Sequence, residues 1–164
     1  MLILDVGCGF SPKGDVNTDL FITDKNGHRM QESNLKEIKI SNFVLCDAQY
    51  LPFKSNTFNT VISYHVIEHV NNPQLMLKEL IRVSNDEIKI KCPHRLSDKF
   101  VGLLGWRNSE HKYFFNMCWF RDYGIKYGCN VNTYQNVRSF IFLSLPLEIE
   151  TFMKKKIFKD GNKS

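Results

Sequence analysis

The fold is decided by the stretch Leu2-Ile3-Leu4-Asp5-Val6-Gly7-Cys8-Gly9-Phe10-Ser11. Apolar residues surround Asp5 and lead directly into Gly7 and Gly9, a pattern that predicts a buried parallel strand ending in a tight turn. Glycine suits such a turn because it adopts positive φ and lets a ligand approach the main chain. Asp5 is placed to accept hydrogen bonds from a cationic group or from the turn. The stretch therefore indicates a nucleotide site, with an ordinary strand-to-loop turn as the alternative.

The segment after this turn is unusually short. A dinucleotide-binding turn needs a third glycine where Pro12 stands. The next strand, residues 16–20, brings Asp19 only ten positions after Gly9, whereas a crossover between parallel strands normally takes a dozen or more residues and a helix. We therefore predict that the first crossover helix is shortened and replaced by a loop at residues 12–14.

Later motifs extend the pattern of the opening stretch. They are Cys46-Asp47-Ala48-Gln49-Tyr50-Leu51-Pro52-Phe53, Thr57-Phe58-Asn59-Thr60-Val61-Ile62-Ser63 and Glu68-His69-Val70. With Leu4-Asp5-Val6-Gly7-Cys8-Gly9, they resemble in order the motifs of the class I S-adenosylmethionine-dependent methyltransferases, in particular the small type 11 group. The resemblance is strong over residues 1–95 and loose beyond. Two positions depart from the family pattern: Ser11 replaces a frequent glycine and Asn59 a frequent aspartate.

The resemblance implies S-adenosylmethionine as the cofactor and a set of residues that contact it. Asp19 would bind the two ribose hydroxyls, Asp47 would accept from the adenine amine, and the backbone of Ala48 would read the ring. A carboxylate suits a cis-diol because its two oxygens accept from both hydroxyls at once. The full predicted cofactor set is Asp5, Gly7, Cys8, Gly9, Asp19, Asp47, Ala48, Tyr64 and His65.

Histidines are the candidates for catalysis, because the histidine pKa lies near neutrality. Methyl transfer requires a base only when the acceptor is a hydroxyl or a protonated amine. His65, His94 and His111 fall in loops expected at the active edge of the sheet, and His65 and His111 are the predicted catalytic residues. His69 is as consistent with a structural role as with catalysis, and His28 falls in an uninformative segment.

The five cysteines are widely spaced and form no C-x-x-C pair, so the sequence indicates neither a zinc site nor a redox couple. We predict reduced cysteines used in packing, and no metal ligands.

The resemblance implies a single α/β domain with a Rossmann-like, mostly parallel sheet of seven strands, or slightly fewer, and helices on both faces. Residues 1–152 would form the methyltransferase domain, and residues 153–164 a basic, flexible tail. The chain opens directly with a strand, so we expect no N-terminal helices over the acceptor. A loop at residues 94–115 is predicted to cover the acceptor instead.

Individual elements of the second half follow from local signals. Asn72-Pro73 predicts a helix start, and residues 87–92 alternate as a fifth strand ended by Pro93. A second helix is predicted from the cap Asn116 to near Gly124. The last hairpin is placed at residues 130–134 and 139–143, and a closing helix is expected to begin at Pro146.

Composition fits a globular protein, with 43% hydrophobic and 24% charged residues among 164. The net charge is +5, but residues 153–164 carry five lysines and one aspartate, so the rest of the chain is nearly neutral. Only this tail offers a basic footprint for nucleic acid. We find neither an apolar run long enough to span a membrane nor a signal pattern, which favours the cytoplasm.

Three functions stay open at this point. The first is methyl transfer to an unidentified acceptor, with a small molecule or a sugar or lipid metabolite favoured over RNA or protein bound through the tail. The second is a catalytically idle S-adenosylmethionine-binding scaffold or activating subunit. The third is a Rossmann oxidoreductase, against which the missing glycine and the short Gly9–Asp19 spacing argue. The oligomeric state is expected to be a monomer or a homodimer.

Overall fold

The protein is described by a computed structural model that covers residues 1–22, 40–97, 111–140 and 143–156. Within these ranges the chain forms one sheet, the two helices given below and a short helical stretch at residues 95–97. In chain order the elements are β1 (Ile3–Val6), β2 (Val16–Asp19), β3 (Phe43–Leu45), β4 (Phe58–Tyr64), α1 (Pro73–Val83), β5 (Ser84–Pro93), α2 (Met117–Lys126), β6 (Cys129–Phe140) and β7 (Leu143–Lys155).

The sheet has seven strands in the order β3-β2-β1-β4-β5-β7-β6. Strands β1 to β5 pair in parallel, and β7 inserts antiparallel between β5 and β6. This arrangement confirms the predicted mostly parallel, Rossmann-like α/β sheet. Because the chain crosses outward from β1 to β3 and then returns to β4, the order reverses beside β1, and ligands of open α/β sheets bind at such a point.

The loop between β1 and β2 contains no helix, as predicted. It is held by hydrogen bonds from backbone N–H groups to side chains: Lys13 donates to Asp5 Oδ2 at 2.8 Å, and Gly14 donates to Asn17 Oδ1 at 3.0 Å. At Gly14 the backbone lies directly against the strands. A Cβ atom there would stand 2.5 Å from the carbonyl oxygen of Val16 and 2.7 Å from the amide nitrogen of Asp5. The short link is possible because this residue has no side chain.

Helix α1 begins as predicted. The Asn72 side chain accepts from the backbone N–H of Leu75 at 3.0 Å, and Pro73 occupies the first turn, where its missing N–H costs no hydrogen bond. The buried face of α1 consists of Met76, Leu77, Leu80, Ile81 and Val83. These side chains join Ile88 and Ile90 of β5 in the main core.

Helix α2 is capped by Asn116 as predicted, but it ends two residues later than expected, at Lys126. Gly124 therefore lies inside the helix rather than at its end. A Cβ atom there would meet Val131 of β6 at 2.4 Å, so this glycine serves close helix–sheet packing. The turn after the helix instead uses Gly128, whose φ of +80° favours glycine.

Helices α1 and α2 lie against each other, because Gln74 Nε2 of α1 donates to Tyr123 Oη of α2 at 2.6 Å. Neither described helix is long and apolar enough to cross a membrane.

The end of the chain differs from the prediction. The stretches at 130–134 and 139–143 do not form two arms of one hairpin, because β6 runs unbroken from Cys129 to Phe140. Pro146 does not begin a helix but lies in β7. A proline is tolerated there because β7 pairs with β5 only from Glu148 onward, and the β6 register shifts beside it, after Asn136.

Strand β7 continues to Lys155, so the first three residues of the predicted basic tail belong to the sheet. Residues 157–164 of that tail lie outside the described residues, and its role stays a prediction. The cysteines are free, as predicted. Cys8, Cys92 and Cys129 are buried, whereas Cys118 is exposed.

The close approach at Gly14 leads to a stability prediction. Gly14→Ala should lower the free energy of unfolding by about 2–3 kcal/mol, toward the upper end of the usual cost of overpacking, because backbone atoms of two paired strands must move to admit the methyl group. Urea denaturation followed by circular dichroism measures the change. Ser11→Ala, an exposed position in the same loop, is the control and should stay within about 0.5 kcal/mol of wild type. Equal stability of the two variants would contradict the tight packing.

Candidate functional site

Parallel pairing brings the carboxyl ends of β1, β2 and β3 to one edge of the sheet. Val6 pairs with Thr18, and Asp19 pairs with Leu45. The backbone N–H of Cys46 then donates to the Asp19 carbonyl at 2.9 Å. The residues that follow these three strands therefore share one rim, which is where the sequence predicts the cofactor site.

The glycine turn after β1 has the backbone that its sequence predicts. Gly7 and Gly9 have φ values of +76° and +54°. Gly7 is closed in, because a Cβ atom there would stand 2.1 Å from Cγ2 of Val66 in the loop after β4. Gly9 is open, with nothing within 4 Å of the position that its Cβ would take. The turn thus packs on the protein at its first glycine and leaves room at the second.

Asp19 closes the glycine turn. Its Oδ2 accepts from the backbone N–H of Gly9 at 2.9 Å, and its Oδ1 accepts from the N–H of Phe21 at 3.0 Å. Each carboxylate oxygen has a second lone pair, so both remain able to accept from a ligand. Asp19 is only partly buried, and its carboxylate lies next to the open side of Gly9.

Asp5 has a structural place in the same turn. It is 4% exposed, and its Oδ2 accepts from the N–H of Lys13. Of the two partners proposed from the sequence, a cationic group or the turn, the structure thus shows the turn. Burial raises the pKa of the Asp5 carboxyl, and the Lys13 contact opposes that rise only in part.

Asp47 follows β3 and is held by Gln49. Oδ1 of Asp47 accepts from the Gln49 backbone at 2.8 Å, and both carboxylate oxygens lie within 3.0 Å of Gln49 Nε2. Gln49 in turn accepts from the N–H of Asn72, the cap of α1, at 2.7 Å. Ala48 between them is buried. A fixed acidic side chain followed by a small buried residue therefore stands beside Asp19.

Cys8 and Tyr64 complete the predicted cofactor set. Burial and the nearby Asp19 and Asp5 carboxylates raise the pKa of the Cys8 thiol to about 12, so it is a neutral packing group rather than a nucleophile. The ring of Tyr64 at the end of β4 has two lysine ammonium groups over it, Lys13 at 4.8 Å and Lys91 at 5.2 Å from its centroid. Tyr64 thereby ties the loop after β1 to β5.

His65 follows Tyr64 with a φ of +58°, which is uncommon for a residue with a side chain. Its backbone N–H donates to the Lys91 carbonyl at 2.8 Å. Nε2 lies 2.9 Å from Glu148 Oε1, and Nδ1 lies 3.6 Å from Glu68 Oε1. The carboxylates of Glu68 and Glu148 raise the pKa of His65. His65 thus lies between two carboxylates that stabilise its protonated form.

His111 lies beside His69, with ring centroids 4.8 Å apart and an edge-to-face orientation. The buried carboxylate of Glu68 belongs to the same cluster, and ligand-type atoms of the three residues lie within 4.8 Å of one another. From the sequence alone, His69 fits a structural role as well as catalysis, and Glu68 has no assigned role. The adjacent pair Glu68-His69 soon after β4 is a signal that can be seen in the sequence. The burial of Glu68 is visible only in the structure.

The predicted lid at residues 94–115 is anchored at both ends. Residues 98–110 lie outside the described residues. The backbone N–H groups of Lys112 and Tyr113 donate to the Glu68 carbonyl at 2.8 and 3.3 Å, and the N–H of Arg95 donates to the Phe115 carbonyl at 2.9 Å. Phe115, the last residue of the loop predicted to cover the acceptor, is 3% exposed and belongs to the core instead.

His94 is also buried, and its Nδ1 accepts from the N–H of Leu96 at 3.2 Å. It supports the fold at this end of the loop, because its carbonyl also accepts from the hydroxyl of Ser97 at 2.8 Å. Tyr113 and Phe114, in the part of this loop next to Phe115, are 39% and 40% exposed.

Comparison with known proteins identifies the family to which the residues of this rim belong. Residues 4–87 match the family described as methyltransferase domain. An uncharacterized protein of Methanocaldococcus jannaschii is 35% identical over 91 residues, 54% of this chain and 38% of that protein. An uncharacterized methyltransferase of Schizosaccharomyces pombe is 36% identical over 106 residues, 55% of this chain and 38% of that protein. The chain thus matches well under half the length of these relatives.

Solved structures share the fold across nearly the whole chain. An S-adenosylmethionine-dependent methyltransferase from Thermotoga maritima superposes with a TM-score of 0.69 at 17% identity, over 94% of this chain and 82% of that one. The magnesium protoporphyrin IX methyltransferase of Synechocystis, with bound S-adenosylhomocysteine, gives 0.62 at 18% identity, over 95% and 74%. This covered share is much larger than the part of the chain that matches the family by sequence.

The environment of His65 leads to a prediction about pH. Because its pKa is raised in the folded state, the folded chain binds the proton more tightly than the unfolded chain. The stabilisation is complete below the unfolded pKa of about 6.5 and is lost as the pH rises through the higher folded value. Urea unfolding of wild type and His65→Gln should show a stability difference that is largest below about pH 6.5 and fades as the pH rises above that value.

The matched control for this series is Glu148→Gln, which removes one of the two carboxylates that face His65. It should lower the folded pKa of His65 and move the loss of stability to lower pH. A wild-type advantage over His65→Gln that is constant with pH would show that His65 does not titrate between these carboxylates.

Proposed function

This chain belongs to the methyltransferase-domain family, and on that premise we propose that it binds S-adenosylmethionine and transfers its methyl group to an acceptor. We favour a small molecule or a sugar or lipid metabolite as the acceptor. The single observation that carries the proposal is the open side of Gly9, bordered by the carboxylate of Asp19 and followed along the rim by Asp47.

The residues at this rim fit the proposed cofactor. Open space beside Gly9 admits a ligand to the main chain, where a larger side chain would fill it. Asp19 has free lone pairs for two ribose hydroxyls, and Asp47 offers an acceptor for the adenine amine next to the small residue Ala48. Asp5, Asp19 and Asp47 also make the rim acidic, which suits a sulfonium cation and disfavours a pyrophosphate.

Bound S-adenosylmethionine supplies a methyl group on a positively charged sulfur. What the protein contributes to such a displacement is alignment of donor and acceptor and exclusion of water, and orientation alone is worth several kcal/mol. The loop after β4 is placed for this task because Val66 packs on Gly7 while His65 contacts Glu148 of β7. His65 and His111 are the candidates for a base where the acceptor requires one.

Cofactor binding yields the next prediction. Asp19→Asn should weaken S-adenosylhomocysteine and S-adenosylmethionine by about 1.5–3 kcal/mol, the range for hydrogen bonds to a charged group, or roughly 10- to 150-fold in Kd. Isothermal titration calorimetry measures both ligands. Asp15→Asn is the matched control, because Asp15 stands at the other end of β2 and accepts from the N–H of Ile3 at 2.8 Å. Asp15→Asn should bind both ligands as wild type does, and equal loss in the two variants would remove Asp19 from the site.

The acceptor is sought with the full chain and S-adenosylmethionine carrying a labelled methyl group. Metabolite, glycan, RNA and protein pools are offered separately, and the label is followed to its product. The proposal expects cofactor-dependent transfer in the metabolite or glycan pool. Label in RNA would support the alternative that uses the basic tail, and tight cofactor binding without transfer to any pool would support an idle binding scaffold.

A further inference from the structure

We propose that Glu68, His69 and His111 form a binding site for a divalent transition-metal ion of the Zn²⁺ or Fe²⁺ type. The sequence predicts no metal site, because the ligands come from two segments that only the fold brings together, with His111 standing 42 positions after His69. Ligand-type atoms of the three residues lie within 4.8 Å of one another. Metal–ligand bonds of 2.0–2.2 Å at tetrahedral angles would draw such atoms to about 3.4 Å, a shift that side-chain rotation of two histidines can supply.

The second observation is the state of Glu68 itself. Its side chain is 1% exposed, and neither carboxylate oxygen has a hydrogen-bond partner among the described residues. The nearest side chains of opposite potential charge are two imidazoles, and His65 Nδ1 and His69 Nε2 stand 3.6 and 4.0 Å from Oε1, beyond hydrogen-bond distance. A buried carboxylate without hydrogen bonds is costly unless it is paired with a cation or coordinates a metal. A metal ion bound between Glu68, His69 and His111 would supply the missing partner for the Glu68 carboxylate.

The backbone fixes the two segments to each other. The N–H groups of Lys112 and Tyr113 both donate to the carbonyl of Glu68. The side chains of the same two residues reach Asn71, with Lys112 Nζ 2.7 Å from its Oδ1 and Tyr113 Oη 2.6 Å from its carbonyl. Metal sites need ligands held by such outer contacts, and here His111 is attached directly to the loop that carries the other two.

The ligand set decides the class of ion. Two imidazoles and one carboxylate suit zinc and non-haem iron better than magnesium or calcium, which prefer oxygen ligands. Three protein ligands leave coordination positions open, as in catalytic rather than structural sites. An ion at this place would act as a Lewis acid and would lower the pKa of a coordinated acceptor hydroxyl. This use of the ion rests on the proposed function, whereas the binding site itself does not. The metal site gives His111 the role of a ligand in place of the predicted base.

The test measures metal binding directly. The full chain is treated with a chelator and titrated with Co²⁺, whose visible absorption reports its ligands, and Zn²⁺ is then added as a competitor. We expect saturable binding of one ion with visible bands and no near-ultraviolet charge-transfer band from thiolate. Glu68→Gln and His111→Ala should each weaken binding by more than about 100-fold, beyond the usual effect of losing an outer contact.

Two controls keep the result specific. Glu79→Gln changes a carboxylate that instead pairs with Arg82 at 2.7 Å, and Cys118→Ser removes the exposed thiol. Both should bind Co²⁺ as wild type does. Thermal unfolding gives a second readout, because a metal that binds the folded chain raises its Tm. Zn²⁺ should raise the Tm of wild type and of both controls, and leave that of Glu68→Gln unchanged.

The outcomes separate this inference from the proposed function. Absence of Co²⁺ binding, or equal binding by folded Glu68→Gln, would overturn the metal site even if S-adenosylhomocysteine still bound. Metal binding that depends on Glu68 and His111 would support the site even if the cofactor titration failed. A thiolate band that disappears in Cys118→Ser would show the ion to be bound elsewhere.

Discussion

The hydrogen bond from the Gly9 backbone to the Asp19 carboxylate, 2.9 Å long, joins the turn after β1 to the end of β2. Only ten positions separate these residues, too few for an ordinary crossover helix. The bond therefore holds a loop that has no helix to fix it. No atom lies within 4 Å of the position that a Cβ atom would take at Gly9. The hydrogen bond therefore fixes the turn while leaving open space beside its second glycine.

The same short link shapes the packing around it. Gly14 must lie against the backbone of β1 and β2, and Lys13 must donate to the buried Asp5. Lys13 also reaches over the ring of Tyr64, which places the loop beside the end of β4. The residues that follow β4, with Val66 on Gly7, then stand next to the turn. The candidate site thus lies where the loop after β1 packs against the loop after β4.

The first half of the fold could be predicted because its signals are local. Apolar runs ending in glycine or aspartate mark β1 to β3, and the Asn72-Pro73 pair marks the start of α1. The second half of the fold was harder to predict because contacts between residues far apart in the sequence determine its helix and strand boundaries. Gly124 looks like a helix end in the sequence, yet it packs against Val131, and Pro146 is tolerated in β7 because the neighbouring strand β5 has already ended. Neither fact is visible within a short window of residues.

The candidate site shows the same division. The residues of the glycine turn and the strand-end aspartates were identified from their motifs, and the structure brings them to one rim. The cluster of Glu68, His69 and His111 was not, because it depends on a loop that returns to the sheet after a long excursion. Burial of Glu68, and the two carboxylates that face His65, are likewise properties of packing.

The central claim, that the cofactor binds at the rim formed by the ends of β1, β2 and β3, is tested most directly by nuclear magnetic resonance of the ¹⁵N-labelled chain with S-adenosylhomocysteine. The account predicts that the amide signals of Gly9 and Ala48 shift on saturation, while those of Asn132 and Tyr134, exposed or half-exposed on β6 at the far side of the sheet, stay in place. Shifts confined to β6, with Gly9 and Ala48 unmoved, would contradict it.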